Sequence, residues 1–200
     1  NTAVGYQAGA AVTTGVENVL IGSQAGDALT DADYNIAIGH NALTSDTLGS
    51  RSVAVGRHAL ETQNFTTATS VYNIGIGYNA GRLITTGTAN TFIGGLAGAA
   101  NTTGANNTAV GNLSMAANTT GLQNVSVGDA SLDANTTGNY NVAIGKSSLG
   151  ANTTASNNTA VGTSALAANT TGASNSAMGE VALTTNTTGA ENVAVGANGL

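Results

Sequence analysis

Two histidines, a few carboxylates and a short run of tyrosines and arginines are the side chains of this chain best suited to chemistry. His40 and His58 could serve as general base or metal ligand, the usual roles of an imidazole near neutral pH. Neither recurs beside an acidic partner in a pattern that would build a nucleophilic triad, so both are read as surface histidines beside a turn. Asp27, Asp31 and Asp33 lie close in sequence and could meet Asp46 to offer oxygen ligands to Ca²⁺. Their spacing is not that of a calcium loop, and solvated charge is the reading adopted. The pair Gly94-Gly95 lacks the lysine and the strand-to-helix context of a phosphate loop. With no cysteine, there is no thiolate nucleophile, thiolate metal site or disulfide. No catalytic residue, metal or cofactor is therefore expected, and the chain is not expected to be an enzyme.

What these side chains hang on is a repeat. The triplet Asn-Thr-Thr begins at Asn101, Asn118, Asn135, Asn152, Asn169 and Asn186, each 17 residues after the last. A second landmark, Asn-x-Ala-Val/Ile-Gly, begins at Asn1, Asn18, Asn35, Ser52, Asn73, Asn90, Asn107, Asn124, Asn141, Asn158, Asn175 and Asn192. Every interval is 17 except one of 21, between Ser52 and Asn73. The four extra residues are placed between Glu61 and Tyr72. Residues 1–200 thus read as one array without a linker, cut from a longer chain. The net charge of -6 offers no basic footprint, so no nucleic-acid partner is expected. Gly, Asn or Thr interrupts every apolar run, so no segment is expected to insert in a bilayer.

Counting each unit from its Asn, position 5 is always glycine: Gly5, Gly22, Gly39, Gly56, Gly77, Gly94, Gly111, Gly128, Gly145, Gly162, Gly179 and Gly196. An unvarying glycine marks a corner where a Cβ would obstruct the backbone. Before it, β-branched residues at positions 2 and 4 alternate with Asn and Ala at positions 1 and 3, the pattern of a short strand. The Val/Ile column is expected to face inward, with Leu132, Leu149, Leu166 and Leu183 at position 9 as a second inward anchor. Asn-Thr-Thr-Gly at positions 12 to 15 reads as a turn, which also accounts for the many Asn-x-Ser/Thr sequons without sugar. A 17-residue unit is too short for a pair of helices. The expected fold is all-β, a parallel β-solenoid of twelve coils, with neighbouring coils about 4.8 Å apart and a rod of roughly 55–60 Å.

The pentad Asn-Thr-Ala-Val-Gly, at Asn107–Gly111 and Asn158–Gly162, resembles the core motif of YadA-type head repeats in trimeric autotransporter adhesins. The longer pattern from Asn118 to Gly128 is similar to repeats in tail-fibre-like proteins of phages and large viruses. The likeness spans the chain, although the adhesin unit is usually shorter than the one found here. It implies a left-handed β-roll in a homotrimeric fibre. It also implies an extracellular place, on a virion tail fibre or a bacterial surface. Energetics point the same way, since a narrow coil gains little burial for the entropy of ordering it. The Ala-rich face is expected to meet sister chains, and a single-chain solenoid is the alternative.

Variation concentrates at positions 6, 7, 10, 16 and 17. Position 17 reads Glu17, Tyr34, Arg51, Tyr72 in successive units, and position 6 reads His40, Arg57, Tyr78. An Arg between two Tyr at one coil spacing could stack on both rings. These ladders either stiffen the outer wall or form a binding face for a host-surface glycan or protein receptor. Asp129 and Lys146 are expected to make a minor surface pair. The function expected is structural and adhesive, a fibre segment that holds a binding surface away from its base. The alternatives are a receptor-free extracellular filament or coat and, behind it, an ice-binding solenoid.

Overall fold

The structure, a computed structural model, describes residues 1–199. Twelve three-residue strands stack into one parallel sheet, each strand belonging to one coil. They are β1 (Thr2–Val4), β2 (Val19–Ile21), β3 (Ile36–Ile38), β5 (Val53–Val55), β7 (Ile74–Ile76), β8 (Thr91–Ile93) and β9 (Thr108–Val110), continuing as β10 (Val125–Val127), β11 (Val142–Ile144), β12 (Thr159–Val161), β13 (Ser176–Met178) and β14 (Val193–Val195). Two further short strands, β4 (Gly49–Ser50) and β6 (Thr69–Ser70), pair with each other. No helix occurs among the described residues. The register is one repeat per coil: Val125 lies beside Val142 and Ile144 beside Val161. The chain is a parallel β-solenoid.

The corner glycines behave as the repeat implies. Gly111 has φ +134°, and a Cβ there would drive into the Gly128 carbonyl of the next coil. Corner therefore stacks on corner with no room for a side chain. Non-glycine residues at positions 7 and 17 also take positive φ, for example Tyr34 at 60° and Arg51 at 66°. Such a conformation costs an L-residue about 1–2 kcal/mol. Here it is offset by hydrogen bonds to the preceding coil, from Tyr34 N to Val16 O at 3.1 Å and from Arg51 N to Asp33 O at 3.0 Å.

The two faces of the strand are inverted relative to the expectation. Positions 1 and 3 line the lumen and the Val/Ile positions 2 and 4 face out. The Ala-rich face is thus each chain's own core and cannot be a contact between chains. Lumen volume is the reason. Where position 3 is large, the facing position 9 shrinks. A Cβ on Gly9 or Gly26 would lie 2.7 Å from Leu20 side-chain atoms, and one on Gly81 would lie 2.7 Å from the Phe92 ring. Conversely, position 9 carries Leu60 where position 3 is Gly75. Positions 3 and 9 together hold one large side chain, so two branched columns could not share that part of the lumen. Leu132, Leu149, Leu166 and Leu183 are buried, as expected for the anchor at position 9.

The buried Asn at position 1 uses its amide on the backbone. Asn124 Oδ1 accepts from Asn141 N at 2.9 Å, and Asn124 Nδ2 donates to the Gly138 carbonyl at 2.9 Å. A second ladder runs through position 12, where Asn118 Nδ2 donates to Asn101 Oδ1 at 2.7 Å. The sequon asparagines Asn101, Asn118, Asn135, Asn152 and Asn169 are therefore sealed inside.

The long unit places its extra residues where expected. Leu48 N bonds Phe65 O, 17 positions on, but Gly49 already pairs with Thr69. The chain bulges over residues 66–68, which are exposed, above a buried Phe65.

Candidate functional surface

The most extensive feature is the outward side of the large sheet. Positions 2 and 4 present Val, Ile and Thr in two columns from β1 to β14, interrupted only by Ser176 and Met178 of β13, with Ile76 37 % and Ile144 39 % exposed. Parallel sheets are ordinarily covered on both faces, whereas this strip is open to solvent on its outer side.

Tyr34, Arg51 and Tyr72 border this strip on the side where the chain enters each strand. His40, Arg57 and Tyr78 border it where the chain leaves, just past the glycine corner. The expected stacking is half formed. Arg51 lies over Tyr34, 5.1 Å from the ring centre, and Arg57 lies over Tyr78 at 5.9 Å. Arg51 does not also reach Tyr72, because the bulge intervenes and its Nη1 instead donates to Ser70 Oγ at 2.7 Å. The His40 and His58 rings meet edge to face at 5.4 Å.

The two candidate imidazoles adjoin each other, and of the two only His58 has an acidic partner among the described residues. His40 is exposed, but His58 is half-buried rather than solvated, with Nδ1 2.7 Å from Glu61 Oε1. Arg82 Nε donates to the other Glu61 oxygen at 2.9 Å. Burial opposes ionisation of Glu61, yet the bonds from Arg82 and His58 outweigh it and hold the carboxyl below its ordinary range. Position 10, which carries Glu61 and Arg82, thus cross-links two coils; the sequence had shown it only as variable.

Asp46 does not join Asp27, Asp31 and Asp33 in a cation site. It occupies the inward position 12 and is wholly buried. Its Oδ1 accepts from Gly49 N at 3.1 Å and Phe65 N at 2.9 Å, and its Oδ2 accepts from Gln63 Nε2 at 2.5 Å. Burial raises its pKa, and these hydrogen bonds only partly oppose the shift. Asp31 accepts from Thr14 Oγ1 at 2.5 Å, Asp33 from Val16 N at 2.8 Å, and Asp27 from Thr44. Each carboxylate is engaged by a neighbouring coil, and no group of three or more His or acidic residues suited to a metal ion occurs among the described residues. Asp129 and Lys146 do not form an ion pair; Asp129 instead accepts from Asn112 at 3.3 Å.

On the turn side, position 13 hydroxyls are consumed in the stack, as when Thr119 donates to the Thr136 carbonyl at 3.0 Å. Thr103, Thr120, Thr137, Thr154 and Thr171 at position 14 remain exposed as a single outward column. No helix of the described residues is long and apolar enough to cross a membrane. Compared with known proteins, the chain matches no family model, no curated protein and no solved structure.

Proposed function

We propose that the chain is a rod segment of an extracellular homotrimeric fibre that serves attachment, on a virion tail or a bacterial surface. The observation that carries the self-associating part is the exposed Val/Ile strip. Since the Ala column is already buried, this strip is the face that sister chains would cover, three copies lying parallel about a common axis. Covering it removes apolar surface from water at about 25 cal/mol per Å². Attachment rests on the likeness to adhesin and tail-fibre repeats and on the weakly charged outer positions, which suit a glycan or protein receptor rather than nucleic acid.

Light scattering on the purified chain at micromolar concentration should give about three times its 19.3 kDa. A well-folded monomer would overturn the assembly. Attachment is tested separately, by binding of the trimer to a glycan panel and to intact host-type cells. Trimer without binding to either favours the receptor-free filament or spacer.

A further inference from the structure

We infer that the Tyr/Arg columns at positions 17 and 6 form the seam where one copy meets the next, so that Tyr72 of one copy faces Tyr78 of its neighbour. This rests on the proposed association through the Val/Ile face and says how that face is closed.

Area is the first reason. A strip three residues wide is about 10 Å across, and over a rod of about 55 Å it offers about 550 Å² per copy. A stable, specific interface buries about 800 Å² per partner. Extending the contact from position 17 to position 6 makes it about seven residues wide and roughly doubles the area each copy offers, which a ring shares between two neighbours. The bordering columns are thus needed to complete the interface.

Placement is the second. Tyr72 lies just before β7 and Tyr78 just after it, so the two stand on opposite borders of the same strand. In a parallel ring with a closed rotation axis, the entry border of one copy meets the exit border of the next at equal height. At two levels the borders match in size: Tyr72 with Tyr78 are both large, and Ala89 with Gly95 are both small. Arg51 falls level with Arg57, the pairing that could repel. Each guanidinium is already stacked on a tyrosine of its own chain, and Arg51 is also bonded to Ser70. Stacking on a ring face offsets part of that repulsion. Tyr and Arg are also the residue types enriched in protein interfaces.

The chain lacks cysteine, which makes cross-linking a clean test. Asn106→Cys and Asn112→Cys put one thiol on each border of β9, both at exposed positions. Five residues separate them, three of which form β9 and by themselves span about 10 Å, more than the roughly 7 Å limit for a disulfide, so any bond must join two copies. On mild oxidation the double variant should give covalent dimers and trimers on a denaturing gel, while each single variant stays monomeric. Three copies by light scattering without cross-linking in the double variant would overturn the seam and leave the association standing. Dimers from a single variant would mean a two-fold contact and also overturn it. A monomer by light scattering would overturn both. As a second arm, Tyr72→Ser with Tyr78→Ser should raise the trimer dissociation midpoint at least tenfold with an unchanged circular dichroism spectrum; an unaltered midpoint counts against the seam.

Discussion

Gly111 shows how narrowly single positions are constrained. Gly111→Val forces a Cβ into the Gly128 carbonyl, whereas Thr163→Val alters an exposed position 6. The first should lower the melting temperature sharply and the second hardly at all; equal melting temperatures would refute the corner. Asp46 and Glu61 respond oppositely to pH. Asp46 holds its proton more tightly folded than unfolded, so its contribution to stability grows as pH falls through its raised pKa. Glu61 holds its proton less tightly folded, so it stabilises above the ordinary glutamate range, a contribution lost as pH falls through its lowered pKa. Urea titrations at stepped pH should show a shallower acid loss for Glu61→Gln than for the parent. Asp46→Leu fits a column that holds Leu29 and Ile84, yet it orphans the Gly49 and Phe65 amides at about 1–3 kcal/mol each. Faster amide exchange at those two residues is the check.

The coil is the unit at the next scale. Because each strand pairs only with its two neighbours, deleting residues 141–157 should leave a shorter folded rod. Deleting eight residues instead would bring outward residues into the Asn–Ala lumen and should abolish cooperative unfolding. Coils are also coupled through lumen volume. Gly98→Leu should destabilise the parent by clashing with Phe92, and Phe92→Ala should cost about 3–5 kcal/mol by leaving a cavity. The double variant should recover part of both losses. Strict additivity, measured by urea unfolding, would mean that the two sites do not share space.

For the whole molecule, the outward strip is the feature with no partner inside the chain. Val127→Lys with Ile144→Lys places two charges at half-exposed positions of adjacent coils, where neither enters the lumen. Such a variant should keep the parent's far-ultraviolet spectrum and become monomeric by light scattering. An intact trimer would mean that copies meet elsewhere.

Repeat length, strand positions, the glycine corner, the anchor leucines and the site of the four-residue bulge were all legible in the sequence, since each follows from local backbone chemistry read in columns. Alternation along a three-residue strand also showed that two faces exist. It could not say which one is inside. Burying the β-branched column is the usual outcome, and here it fails because Phe92 needs Gly81 and Gly98 opposite it and Leu20 needs Gly9 and Gly26. How much volume a closed coil leaves is a property of the stacked chain, not of any segment. The same holds for Asp46, which reads as one more acidic residue near three others until the coil closes and turns position 12 inward. Stacking in three dimensions also decided that Arg51 leaves Tyr72 for Ser70, because a bulge in one coil shifts the neighbours offered to the next.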